Sequence, residues 1–163
     1  VDVFREHLCS EEIVRIMAEA VSTIPGSGDP GSRRKRPRGI VCASPYGEKH
    51  LIAPRMICDL FRFRGWNDWF LGIDTPTSDI VKACMTCGAD ILAMSATMTA
   101  GVEAVKNVIA AVRGERKLRN LGILVGGSAF DRDPGLWERV GADGYASSAA
   151  GAVAAAHRVL SRS

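Results

Sequence analysis

The stretch Gly39-Ile40-Val41-Cys42-Ala43-Ser44-Pro45-Tyr46-Gly47-Glu48-Lys49-His50-Leu51-Ile52-Ala53 carries the reading of the fold. It opens on five small or apolar residues, turns through Ser-Pro and Tyr-Gly, and runs into a segment that reads as a helix from about Lys49 to Arg64. A short apolar run bounded by turn residues is the pattern of a strand buried on both faces, and a helix directly after it makes one βα unit.

The unit recurs downstream. Strands are predicted at Gly39 to Ala43, Asn67 to Gly72, Ala89 to Ser95, Leu121 to Val125 and Gly144 to Ala146. Helices are predicted near Lys49 to Arg64, Thr77 to Cys87, Gly101 to Arg113, Pro134 to Val140 and Ala149 to Leu160. Gly65, Gly88 and Gly141 stand where a helix would end on a left-handed residue, and Pro76-Thr77-Ser78 forms a helix start. Strict alternation predicts the α/β class, a flavodoxin-like, doubly wound, five-stranded parallel sheet preceded by one helix. Such sheets take ligands at the carboxyl ends of their strands. That edge carries Ser44 to His50, Asp74 and Thr75, Ser95 to Thr99, and Gly126 to Phe130.

Upstream of the alternation the chain changes character. Phe4, Leu8, Ile13, Met17 and Val21 hold one apolar stripe, so residues 1–24 are predicted to be a helix. Residues 25–38 collect glycine, proline, serine and Arg33, Arg34, Lys35, Arg36 and Arg38, a composition that predicts a flexible basic linker. Residues 39–163 form the α/β domain.

At 163 residues, 47% hydrophobic and 24% charged, the chain has the composition of one compact domain with an appendage. Its net charge of +3 is more than accounted for by the basic linker, leaving the body slightly acidic and excluding a basic nucleic-acid face on it. No apolar run approaches the roughly 20 residues of a membrane span, and an odd count of 5 cysteines without a secretory signal points to a reduced, cytoplasmic setting. Cys84 and Cys87 have redox-pair spacing but precede Gly88 at a helix end, where the dipole raises a thiol's pKa; small buried hydrophobes are the expected role. Tyr46, Met98 and Phe130 are expected as exposed apolar residues at the ligand edge, His157 on the surface, and the three tryptophans in packing roles. No nucleophile, base and orienting group is readable together, so the chain is not expected to be an enzyme by itself.

Glu48-Lys-His50-Leu-Ile-Ala53, Ser95-Ala-Thr97 and Gly126-Gly127 fall after the first, third and fourth strands. This set resembles the cobalamin-binding domain, whose motif is Asp-x-His-x-x-Gly, then Ser-x-Leu or similar, then Gly-Gly. The resemblance implies that His50 is the axial ligand of cobalt or heme iron and Glu48 the acid that orients it, with Ser95, Thr97, Gly126 and Gly127 lining the cofactor site. Ala53, followed by Pro54, departs from the family glycine that admits the nucleotide tail, and Glu48 is longer than the family aspartate. Glu6-His7 resembles the Glu-His pair on the helical cap of light-sensing cobalamin regulators, making residues 1–24 a cap remnant and His7 a cofactor contact.

Most closely, the set resembles the SCHIC domains (sensor containing heme instead of cobalamin) of photosynthesis antirepressors. That implies light- and redox-responsive control through a PpsR-type repressor, with the remainder of a longer chain as further partner. It implies neither direct nucleic-acid nor membrane contact, and no flavin in this segment. The alternatives within the resemblance are a cobalamin photoreceptor module and a cobalamin carrier subunit of a mutase or methyltransferase; an unoccupied descendant of the fold kept as a contact surface is a further one.

Overall fold

The computed structural model describes residues 12, 13, 15, 16 and 36–162. Strands β1 (Gly39–Ala43), β2 (Asn67–Phe70), β3 (Ile91–Ser95), β4 (Gly122–Gly126) and β5 (Gly144–Ala146) alternate with helices. These are α1 (Ile52–Phe63), α2 (Thr77–Cys87), α3 (Thr99–Gly114), the short α4 (Ser128–Asp131) and α5 (Leu136–Arg139), and α6 (Ala149–Arg162). Every strand pairing is parallel and the order is β2-β1-β3-β4-β5, the flavodoxin-like arrangement predicted from the alternation.

Successive residues of a strand face opposite sides, and this divides the core in two. Ile40 and Cys42 pack with Cys58 and Phe61 of α1 and with Ala152, Ala156 and Val159 of α6. Val41 and Ala43 pack with Ile80 and Cys84 of α2 and with Val105, Val108 and Val112 of α3. Helices on both faces leave only the two ends of the sheet open.

The end where the strands begin is closed by a repeated device. Gly88-Ala89-Asp90 and Gly141-Ala142-Asp143 each follow a helix, each glycine has a positive φ (58° and 85°), and each aspartate precedes a strand. The Asp90 carboxylate accepts the Gly39 N–H at 2.7 Å, and the Asp143 carboxylate accepts the Ile123 N–H at 2.7 Å. Asp90→Ala leaves the Gly39 amide unpaired and is expected to lower stability by about 1–3 kcal/mol. Asp90→Asn, which keeps an acceptor oxygen, is expected to lower it less, as urea denaturation would show.

Helix and strand limits differ from expectation at several points. The helix expected from Lys49 begins at Ile52, that expected from Gly101 begins at Thr99, and the one expected over Pro134 to Val140 shrinks to Leu136–Arg139 because Gly135 has φ 90°. Helix α4 and a 3₁₀ turn at Arg116–Leu118 were not foreseen. Phe130 is not exposed: it is 2% accessible, since α4 turns it into the core beside α3. Tyr46 and Met98 are exposed as expected.

The predicted cap helix over 1–24 is described only at Glu12, Ile13, Arg15 and Ile16, which are helical; His7 and linker residues before Arg36 lie outside the described residues. The end of the basic run is docked rather than only solvated. Arg36 donates to the Gly88 carbonyl at 3.2 Å, while Arg38 lies 5.5 Å over the Trp66 ring and 3.0 Å from His157 Nδ1.

Cys42, Cys58 and Cys84 are buried, Cys87 is partly so, and all four are free thiols. Burial pushes Cys84 up to about 12 and also raises Cys87, so removal from water, more than helix position, keeps these thiols protonated. The Cys58 thiol is raised by its hydrogen bond with Cys42 and by burial. No helix among the described residues is long and apolar enough to cross a membrane.

Candidate functional site

In an open parallel sheet the crossover direction reverses between β1 and β3, which leaves a gap between the loops that follow them. Glu48, after β1, reaches across that gap. Its carboxylate is 3% exposed and accepts the Thr97 N–H, after β3, at 2.6 Å through Oε2. Oε1 accepts the His50 N–H at 3.0 Å and makes a short contact with His50 Nδ1. Burial alone raises the Glu48 carboxyl, but hydrogen bonds from Thr97 and from the ring and N–H of His50 outweigh it, so the group lies below its ordinary value.

In the neutral imidazole, an ionised carboxylate against Nδ1 places the ring proton there and the lone pair on Nε2. The His50 side chain is 60% exposed, so a basic nitrogen of fixed orientation faces outward from the sheet edge. Met98, exposed at 60%, and Tyr46, at 70%, occupy the same loops.

A residue not singled out from sequence packs beside this contact. A Cβ on Gly101, in the first turn of α3, would crowd the Ala96 Cβ at 3.3 Å and lie in ordinary contact with Glu48 Oε2 at 3.6 Å. The carboxylate thus sits close to the positive end of α3.

Between α1 and α6 a narrow crevice of about 30 Å³ opens onto the sheet. Its walls are Pro54 and Ile57 on one side and Ala152 on the other, and its floor includes Ala93, Ser95, Gly126 and Ala146. Sequence reasoning placed Ser95 and Gly126 here but missed Ala93, Ala146 and Ala152. The signal available was small residues at positions where neighbouring strand and helix positions carry Ile, Leu or Val. Ala53 is exposed and is not part of this lining, whereas Pro54 is.

The structure therefore brings Glu48, His50 and Thr97 together, Thr97 through its backbone, and places Ser95 and Gly126 in the adjacent crevice. Gly127 faces Ala96 and Ser95 rather than the opening. No group of three or more His, Cys, Asp or Glu side chains suited to a metal is present among the described residues. A metal held by His50 must bring its remaining ligands with it, as a metallated tetrapyrrole does, and the exposed imidazole with a crevice alongside fits such a group.

Dimethylamine corrinoid protein 2 of Methanosarcina acetivorans is 26% identical over 145 residues, 88% of this chain and 66% of the relative. The chain spans 60–66% of the length of this relative and of dimethylamine corrinoid proteins 1 and 3 of the same organism. A cobalamin-binding protein of Desulfitobacterium hafniense superimposes with a TM-score of 0.71 at 25% identity, covering 76% of this chain and 60% of that one. The methanol:cobalamin methyltransferase complex MtaBC of Methanosarcina barkeri contains the same fold, with a TM-score of 0.65 at 22% identity over 82% of this chain and 50% of that one. Residues 38–154 match the B12 binding domain, and the chain belongs to that family.

Proposed function

We propose that this chain is a corrinoid carrier module, holding the cofactor at the carboxyl edge of its sheet with His50 as the lower axial ligand. The observation that carries the reading is the outward Nε2 of an imidazole whose Nδ1 is held by buried Glu48, next to a crevice floored by small residues. When bound, the corrinoid supplies a metal centre able to carry a one-carbon group; the chain's residues hold and orient it. Glu48 fixes the ring and its proton, and Ser95, Ala93 and Gly126 line a narrow apolar slot with one hydroxyl, which α1 and α6 would have to part to admit a nucleotide tail. A carrier of this kind works with a separate catalytic protein, and the corrinoid relatives and the methyltransferase complex support a methyltransferase as that partner.

Absorption titration of the purified chain and of His50→Ala with hydroxocobalamin, cobinamide and hemin tests the proposal. Saturable one-to-one binding of hydroxocobalamin is expected, weakened about tenfold or more in His50→Ala with a changed spectrum. Cobinamide, which lacks the nucleotide tail, is expected to bind less tightly than hydroxocobalamin. Unsaturable spectra, or spectra that ignore the substitution, would overturn the proposal.

A second reading draws on Ala53 and Pro54. They depart from the cobalamin motif in the manner of a heme-binding SCHIC domain, like the C-terminal part of the antirepressor AppA, which would make a PpsR-type repressor the partner. Against it, Ala53 is exposed and stands outside the crevice lining. Saturable hemin binding through His50, without cobalamin binding, is the outcome that would favour it.

A further inference from the structure

The backbone of the loop that carries Glu48 and His50 is gripped from the neighbouring β2 loop by Asp74. Asp74, after β2, is the single non-glycine residue with a positive φ (53°) among the described residues. Few side chains tolerate that conformation, and aspartate is one of them. From it, the Asp74 N–H donates to the Glu48 carbonyl at 3.0 Å, and Asp74 Oδ1 accepts the Gly47 N–H at 2.7 Å. Both ends of the Gly47-Glu48 segment are thereby fixed by the same residue.

The neighbouring contacts explain why this grip reaches the histidine. Ser44 N–H donates to the Gly72 carbonyl and Thr75 N–H to the Ser44 carbonyl, so the β1 and β2 loops are laced together before Pro45. Beyond Pro45 the lacing is continued by Asp74, and the loop is closed by the turn bond from the Glu48 N–H to the Pro45 carbonyl. The direction of the Glu48 side chain follows from the placement of its backbone, and the Glu48 carboxylate in turn holds the His50 ring and the Thr97 amide.

We propose that Asp74 is a positioning residue: by clamping Gly47 and Glu48 it presets the orientation of the His50 imidazole toward the axial position of the corrinoid. The ligand part of this inference rests on the proposed function; the clamp does not.

The test separates the two. Asp74→Gly relieves the backbone and removes only the carboxylate, while Asp74→Asn keeps an acceptor oxygen and tolerates the same φ. In the free protein, amide hydrogen exchange is expected to quicken about tenfold or more at Gly47, His50 and Thr97 in Asp74→Gly. Ile123, in β4, should keep its rate, and Asp74→Asn should stay near wild type throughout. With cobalamin reduced to Co(II) and the histidines labelled with ¹⁵N, the two-line nitrogen hyperfine splitting from His50, distinct from the three lines of the cofactor's own base, is expected in the electron paramagnetic resonance spectrum of wild type and Asp74→Asn and lost in Asp74→Gly. Acceleration at Gly47 alone, with His50 and Thr97 unchanged, would overturn the clamp. A wild-type spectrum without the splitting would overturn the corrinoid reading, and the exchange rates would still decide the role of Asp74.

Discussion

Glu48→Gln is expected to lower unfolding free energy by about 2–4 kcal/mol and to release the His50 ring from its fixed orientation. The carboxylate meets three donors: the N–H of Thr97, the N–H of His50 and the ring of His50. Glutamine has the same shape but one acceptor oxygen, so its amide NH₂ must face either the Thr97 donor or the His50 donors. A buried donor then faces a donor, and the charged hydrogen bonds are gone. The pH dependence has a definite sign. Because the folded carboxyl lies below its ordinary value of 4.5, its contribution is fully present above that pH and is lost as pH falls through the lower folded value. Urea denaturation between about pH 7 and pH 3 should show wild-type stability falling in acid, and a flatter profile for the variant. Affinity for hydroxocobalamin is expected to drop about 10- to 100-fold. A variant within about 0.5 kcal/mol of wild type at neutral pH would mean that the carboxylate does not hold the two loops together.

Sequence reading of the first βα unit was right at the strand and slipped at the helix. Strand β1 was legible because all of Gly39–Ala43 is buried on both faces and leaves no polar residue to blur the run. The start of α1 was not, because Lys49 and Leu51 have helix-compatible side chains and no capping side chain marks the observed start at Ile52. The Pro134 helix failed for a backbone reason, the positive φ of Gly135, and α4 escaped notice because four residues are too few to show a period. Thr77–Cys87 matched at both ends, since extended Pro76 and left-handed Gly88 mark them chemically.

The candidate site was legible to the same uneven degree. Glu48 and His50 stand two residues apart and could be paired from sequence; Asp74 acts on them from another loop and could not. The crevice was half visible. Ser95 and Gly126 mark strand ends, but Ala93 and Ala152 reveal themselves only when α1 and α6 are seen to stand over β3 and β4. Residues defined by what they leave empty have no motif.

Gly127→Ala is expected to destabilise the chain by about 3–5 kcal/mol and to lower its melting temperature by roughly 10 °C or more. Two constraints act at once. Gly127 has φ 96° and ψ 161°, a region that side-chain-bearing residues rarely enter. A Cβ there would also lie 2.4 Å from the Ala96 carbonyl oxygen and 3.0 Å from Ser95 Oγ. The carbonyl cannot retreat cheaply, because it accepts the Ala129 N–H while the Ala96 N–H donates to the Gly126 carbonyl. Moving it would disturb the join between β3 and β4 and, one residue on, the Thr97 amide that Glu48 holds. Gly72→Ala separates the two constraints: its φ is 92°, but nothing lies within 4 Å of the added Cβ. It should show the strain alone, about 1–2 kcal/mol. If both variants unfold at the same urea concentration, the contact with Ala96 is not what requires glycine; if Gly127→Ala is much the weaker, the paired glycines serve the packing of the sheet edge before they serve any ligand.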